Sequence, residues 1–141
     1  MATRRILDFL ATERPEGPCL VVDLEVVAEN FRKFTSALPA TRIYYAVKAN
    51  PARPILQRLD RLGASFDTAS IYEIELCGGL GIDPGRLAFG STIKKERDIA
   101  AAFARGVGLF AFDSEGELEK LARAAPGARV LCRILMEGRR A

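Results

Sequence analysis

The sequence predicts an α/β fold organised around a parallel sheet, and three observations carry that prediction. Short apolar runs rich in β-branched and aromatic residues alternate with longer segments of helical period. The alternation returns about every twenty residues, the spacing of successive strand–helix units. Most helical segments are also bounded by residues with a physical reason to start or stop a helix. A chain of 141 residues is the size of one ordinary domain.

The strand-like runs lie at 19–23, 43–47, 65–67, 87–89, 109–112 and 129–134. After the first, Asp23 is placed to cap a helix whose face is Val27, Phe31, Phe34 and Leu38, and Pro39 stops it. After the second, Pro54 suits a first helical turn, Ile55, Leu59 and Leu62 form one face, and Gly63 suits a left-handed end. Ser70 with Glu73, and Ser114 with Glu117, match the capping box, in which two side chains satisfy free amides at a helix start. Ile99 and Phe103 lead to Gly106, and Leu118, Leu121 and Ala122 lead to Pro126 and Gly127. Gly78, Gly79 and Gly81 follow a helix rather than open one, so they read as a helix stop and not a phosphate cradle. The period alone fits a (β/α) barrel and a doubly wound sheet equally well.

Composition excludes several kinds of function. Lys and Arg number 21 against 18 Asp and Glu, and the two signs are mixed, as in the run from Lys94 to Asp98, which reads as a solvated helix face. No nucleic-acid partner is expected, and the Arg139-Arg140 end does not alter that. No apolar run nears the roughly 20 residues of a membrane helix, and Met1 to Pro15 lacks a signal-peptide core, so a cytoplasmic protein is expected. Cys19, Cys77 and Cys132 are widely spaced and are expected to be reduced thiols in the core. The absence of histidine removes Ser-His and Cys-His catalysis, and no metal site is expected.

The segment with most chemical content is the apolar run that ends in Lys48. Strand alternation puts Ala46 on the same face as Lys48, which leaves room beside the amine for a flat ligand. Parallel α/β folds place their sites at strand carboxyl ends, and a desolvated lysine there would titrate below its ordinary value of about 10.4. From spacing alone, a lysine reaching outward to water accounts for the residue better than a nucleophile does.

The stretch Tyr45-Ala46-Val47-Lys48-Ala49-Asn50-Pro51 resembles the cofactor-lysine motif of the alanine-racemase-like, fold type III, class of pyridoxal-phosphate enzymes. Phe66-Asp67-Thr68-Ala69-Ser70, Glu73-Ile74-Glu75, the run from Gly90 to Ile99, Phe112-Asp113-Ser114-Glu115 and Arg133-Ile134-Leu135 are similar to successive segments of ornithine and lysine decarboxylases. The likeness spans residues 18–138, and Phe66-Asp67-Thr68-Ala69-Ser70 favours that group over racemases and diaminopimelate decarboxylases.

The resemblance implies a pyridoxal-phosphate-binding (β/α)8 barrel of the TIM type, of which residues 1–141 supply the amino-terminal part and about five of the eight strands. It implies that the chain is truncated, with the remaining barrel, its cofactor-stacking histidine and its phosphate site, and a carboxy-terminal β domain lying beyond Ala141. It implies decarboxylation of ornithine or lysine to a diamine, in polyamine biosynthesis, by a homodimer when complete. Lys48 would hold the cofactor, Asp67 would lie in the cofactor site, and Arg133 would lie near the cofactor. Arg133 stands in an otherwise apolar run where an unpaired guanidinium is costly to bury, and Asp67 is one possible partner. A glutamate near the active site matches Glu73, for which the capping box is a sufficient alternative. A barrel relative kept as a non-catalytic regulatory surface is the other function that the sequence allows.

Overall fold

The computed structural model describes residues 3–136. Five strands, β1 (Tyr44–Ala46), β2 (Ser65–Thr68), β3 (Leu87–Phe89), β4 (Leu109–Phe112) and β5 (Arg129–Cys132), form one sheet in the order β1-β2-β3-β4-β5. Every pairing is parallel. Helices α1 (Arg4–Glu13) and α2 (Leu24–Ala37) precede the sheet, and α3 (Arg53–Arg61), α4 (Ile71–Gly78), α5 (Glu96–Ala104) and α6 (Glu115–Ala124) connect its strands.

Strand order decides between the two architectures that the period leaves open. Each crossover moves one strand in the same direction, and right-handed crossovers then put every connecting helix on one face. A doubly wound sheet reverses its order and carries helices on both faces. This sheet does not reverse, so it is the barrel type, with five strands present.

The two sheet faces differ in kind. Pairing aligns Tyr45 with Phe66, Phe66 with Leu87, and Phe89 with Phe110, so large side chains stack on the helix-covered face. Tyr45 meets Phe66 edge-on at 6.5 Å, and Phe89 lies 6.2 Å from Phe110. Leu56, Ile74, Ile99 and Leu121 close the core from the helices. Burying each such side chain contributes roughly 1.5 to 3 kcal/mol. On the opposite face the register aligns Ala46, Asp67 and Ala88 in one row, so that small side chains flank Asp67 there.

The helix boundaries follow their local chemistry. The Asp23 carboxylate accepts from the Glu25 amide at 3.0 Å and so caps α2. The same carboxylate accepts from Arg5 at 2.9 Å and Thr3 at 2.7 Å, which ties α1 to α2. The Arg5 bond and the Thr3 bond, in that order, hold its pKa down at about 2. Gly63 ends the turn after α3 at φ 84°, in the left-handed region that glycine enters without cost. Ser70 caps α4, its hydroxyl accepting from the Glu73 amide at 3.3 Å.

Several expectations are corrected. Residues 19–23 form no strand and pair with none among the described residues; Leu20 is 83% exposed. An apolar run becomes a strand only when neighbouring backbone groups pair with it, and none do here. Helix α1, which the sequence patterns did not indicate, buries no residue. The strand before Lys48 stops at Ala46, and Val47–Ala49 forms a 3-10 turn. Strand β5 stops at Cys132, before Arg133. Of the three free thiols only Cys77 is in the core, where burial, then the charge of Glu73, pushes it up to about 11; Cys19 and Cys132 are exposed.

Ser114 heads α6 without a side-chain cap bond, because Glu117 turns inward. Glu117 shares a helix face with buried Leu121, four residues on, and reaches Lys94 instead of the helix start. Lys94 is accordingly buried, whereas the rest of its charged run, Lys95 to Arg97, is exposed as expected.

Candidate active site at the carboxyl ends of the strands

The small-residue face of the sheet holds a cavity of about 260 Å³. Tyr44, Asp67, Ala88, Gly90, Ala111 and Arg133 are among the residues around it, contributed by all five strands and the turns just after them. Ala88, Gly90 and Ala111 are small, Tyr44, Leu109 and Leu131 add apolar bulk, and Asp67 supplies a half-buried carboxylate. Burial raises the Asp67 pKa above the usual carboxylate value, and the positive charges of Lys48 and then Arg133 act against that rise. Both cations are thus electrostatic neighbours of one carboxylate.

Gly90 is required by the position of that carboxylate. A Cβ at Gly90 would overlap the Asp67 side chain, whereas one at Gly116 would meet nothing within 4 Å. Gly90→Ala is therefore expected to destabilise the fold by about 1 to 3 kcal/mol through overpacking. Gly116→Ala, inside α6, is expected to stabilise it by about 0.5 to 1 kcal/mol, since alanine loses less entropy in a helix. Thermal melts of the two variants check this, and a drop for Gly116→Ala matching that of Gly90→Ala would show that the Asp67 contact is not the cause.

Lys48 lies in the turn after β1 and is exposed, not desolvated as the strand-end argument supposed. Among the described residues it makes no hydrogen bond or salt bridge. Its turn is braced: Tyr45 donates its hydroxyl to the Asn50 carbonyl at 3.2 Å, and the Asn50 side chain accepts from the Ala52 amide at 3.0 Å. Ala46 pairs with Asp67 in register but lines a neighbouring apolar groove with Val27, Phe31 and Phe34.

Arg133 is exposed, so the cost of burial that seemed to demand a partner does not arise. Its guanidinium donates to the Gly90 carbonyl at 3.3 Å, and no salt bridge joins it to Asp67 among the described residues. Its backbone amide donates to the Phe112 carbonyl at 2.7 Å, which continues the β4–β5 ladder by one residue. Glu73 does not line the cavity: its carboxylate accepts from the Ala69 amide at 2.7 Å, completing the cap of α4. The structure thus brings Asp67 and Arg133 to one cavity with Lys48 close enough to affect Asp67, and leaves Glu73 at its helix.

The site also has residues that sequence patterns missed. Ala88 with Gly90, and Leu109 with Ala111, are two apart on their strands and so share a face, a signal that alternation carries but that reads as ordinary core.

The family described as "Pyridoxal-dependent decarboxylase, pyridoxal binding domain" matches residues 24–141. The chain belongs to this family. Among relatives of this pyridoxal-binding domain, the lysine/ornithine decarboxylase of Selenomonas ruminantium is 40% identical over 129 residues, 92% of this chain and 33% of that protein. Antizyme inhibitor 2 of Xenopus laevis is 37% identical over 129 residues, 92% of this chain and 28% of that protein. The crystal structure of SrLDC in complex with PLP and cadaverine superposes with a TM-score of 0.85 at 38% identity, over 96% of this chain and 35% of that one. The chain therefore spans about a third of the length of the decarboxylase relative.

The residues present fit the cofactor that the family name specifies. A flat ring needs apolar walls with small side chains among them, which Leu109 and Leu131 with Ala88, Gly90 and Ala111 provide, and an amine near enough to act on the site's carboxylate, which Lys48 provides. The half-buried Asp67 carboxylate, which forms no salt bridge among the described residues, leaves room for a further positive group.

Proposed function

We propose that the full-length protein decarboxylates a basic amino acid, ornithine or lysine, with pyridoxal phosphate held on Lys48. The observation that carries this reading is the partly desolvated Asp67 carboxylate in the cavity at the strand ends, within the electrostatic influence of both Lys48 and Arg133. When bound, pyridoxal phosphate supplies an electron sink for the pair left as carbon dioxide departs. Lys48 supplies the amine that takes the cofactor, from a turn braced by Tyr45 and Asn50. Asp67 holds negative charge near that nitrogen and favours its protonated form. Arg133, fixed to the Gly90 carbonyl, adds positive charge at the other side of the cavity. A carboxylate kept where burial opposes its ionisation is a cost to folding, and such costs concentrate at functional sites.

That cost gives the test. The folded state raises the Asp67 pKa, so it binds that proton more tightly than the unfolded chain does. Stability is lost as pH rises from the unfolded value through the raised one, and above that window ionised Asp67 opposes folding. Asp67→Asn in the full-length protein is therefore expected to melt at or above the wild-type temperature at neutral pH, with the gain disappearing in acid. Its turnover is expected to fall by at least about a hundredfold. Unchanged turnover with a lowered melting temperature would make Asp67 a structural residue.

The similarity to a protein named for antizyme inhibition favours one second reading, a non-catalytic relative. Under it the full-length protein folds cooperatively and releases no carbon dioxide from ornithine or lysine. We further propose a homodimer in the cytoplasm as the working form; no helix among the described residues is long and apolar enough to cross a membrane.

A further inference from the structure

A buried charge network behind the cavity is not used by the function proposed above. The Lys94 side chain is 0% exposed and the Glu117 side chain 5%. The Lys94 ammonium donates to the carbonyls of Ser91 at 2.9 Å and Ala111 at 2.6 Å, and lies 3.1 Å from Glu117 Oε2. Two of the three ammonium protons are thus given to carbonyls, and Glu117 Oε2 balances the charge as an ion-pair partner without a hydrogen bond of its own. Glu117 Oε1 accepts from the Lys94 amide at 3.2 Å and from Lys120, whose ammonium also donates to the Lys94 carbonyl at 2.6 Å. Burial lowers the Lys94 pKa, while burial alone would raise that of Glu117; the bonds from Lys120 and Lys94 outweigh this and lower it.

An ion pair of this kind is a weak stabiliser, because desolvation offsets most of its attraction and an apolar pair of similar shape often serves folding as well. What an apolar pair cannot do is hold two carbonyls. Ser91 adjoins Gly90, the residue beneath the Asp67 carboxylate and the acceptor for Arg133, and Ala111 belongs to β4 at the cavity. We propose that Lys94 is a positioning residue of the cofactor site. By tying the Gly90–Ser91 turn to the end of β4, it keeps the Asp67 carboxylate and the Arg133 guanidinium in place over the cavity. Glu117 makes that tie affordable by neutralising the buried cation. The inference rests on the cofactor reading, and it assigns the charge network to ligand placement rather than to stability.

Two variants of the full-length protein separate placement from stability, with melting temperature and the dissociation constant of pyridoxal phosphate, read by absorbance titration, as the measurements. K94M/E117L removes both charges and both carbonyl bonds; with the Ser91 and Ala111 carbonyls left without a donor but no charge left buried, its melting temperature is expected to fall no further than that of E117Q while the dissociation constant rises about tenfold or more. E117Q keeps the Lys94 bonds to Ser91 and Ala111; its melting temperature is expected to fall while the dissociation constant stays within about twofold. Affinity that follows melting temperature across the pair, or wild-type affinity in the double variant, overturns the proposal. If the double variant does not fold, E117Q decides: weakened binding alongside a lowered melting temperature overturns the proposal, and retained binding supports it. Failure of the cofactor reading looks different, since the wild-type protein would then bind no pyridoxal phosphate, or Lys48→Ala would bind it as wild type does.

Discussion

Lys48→Ala in the full-length protein is expected to eliminate covalently held cofactor and to lower turnover by roughly a thousandfold or more. The other buried or partnered lysines cannot take over. Lys94 is buried, donates to the Ser91 and Ala111 carbonyls and is ion-paired with Glu117, and Lys120 pairs with Glu117 and the Lys94 carbonyl. Lys95 precedes α5 on an exposed surface, and Lys33 lies on the exposed side of α2. Lys48 is the lysine that both follows a strand's carboxyl end directly and acts on the charge of Asp67. Borohydride reduction followed by peptide mapping reads the attachment point directly. Label on Lys94 or Lys95 with none on Lys48 would sink the assignment.

The 141-residue chain expressed by itself is expected to turn over neither ornithine nor lysine, a loss of all measurable activity. Its sheet has two outer edges, at β1 and β5, each with a row of backbone groups unpaired among the described residues. Every residue of β5 is exposed, and Leu131 is 54% exposed. A barrel loses such edges only by closing. The isolated chain is accordingly expected to self-associate, with the cavity face accessible to water and any cofactor attachment at Lys48 weak. Sedimentation, thermal melting and carbon dioxide release are the measurements. A cooperative monomer that releases carbon dioxide from either amino acid would show that five strands suffice.

Much of this architecture was legible because the relevant signals are local. Helix starts at Asp23 and Ser70 show themselves through side chains that bond amides two or three residues away. Five strand positions were marked by runs of β-branched and aromatic residues, since both faces of this sheet's centre exclude water. The run at 19–23 looks the same in sequence and forms no strand, because pairing depends on a neighbour that a local pattern does not contain. Lys94 was hidden for the same reason. Its charged neighbours Lys95, Glu96 and Arg97 are exposed, and only the fold brings Glu117 beneath it. The inward turn of Glu117 had one local sign, its helical spacing to Leu121, which the matching Ser114 obscured.

At the site, the motif around Lys48 pointed to the amine but not to its exposure, and Arg133 was singled out for burial that it does not have. Asp67 and Gly90 come together across a β2–β3 pairing, and no spacing along the chain announces that a glycine must sit beneath that carboxylate.

The one-directional strand order has a consequence for how the chain reaches this structure. Paired residues such as Tyr44 and Ser65, Phe66 and Leu87, Phe89 and Phe110, and Leu109 and Arg129 are only 20 or 21 positions apart. Each ladder closes a loop of moderate length, so its entropic cost is smaller than that of a pairing between distant parts of the chain. The sheet can therefore grow vectorially during synthesis, each new strand docking on the one made before it. Growth from the amino terminus also keeps the advancing edge at the newest strand, while the β1 edge stays where the first strand left it.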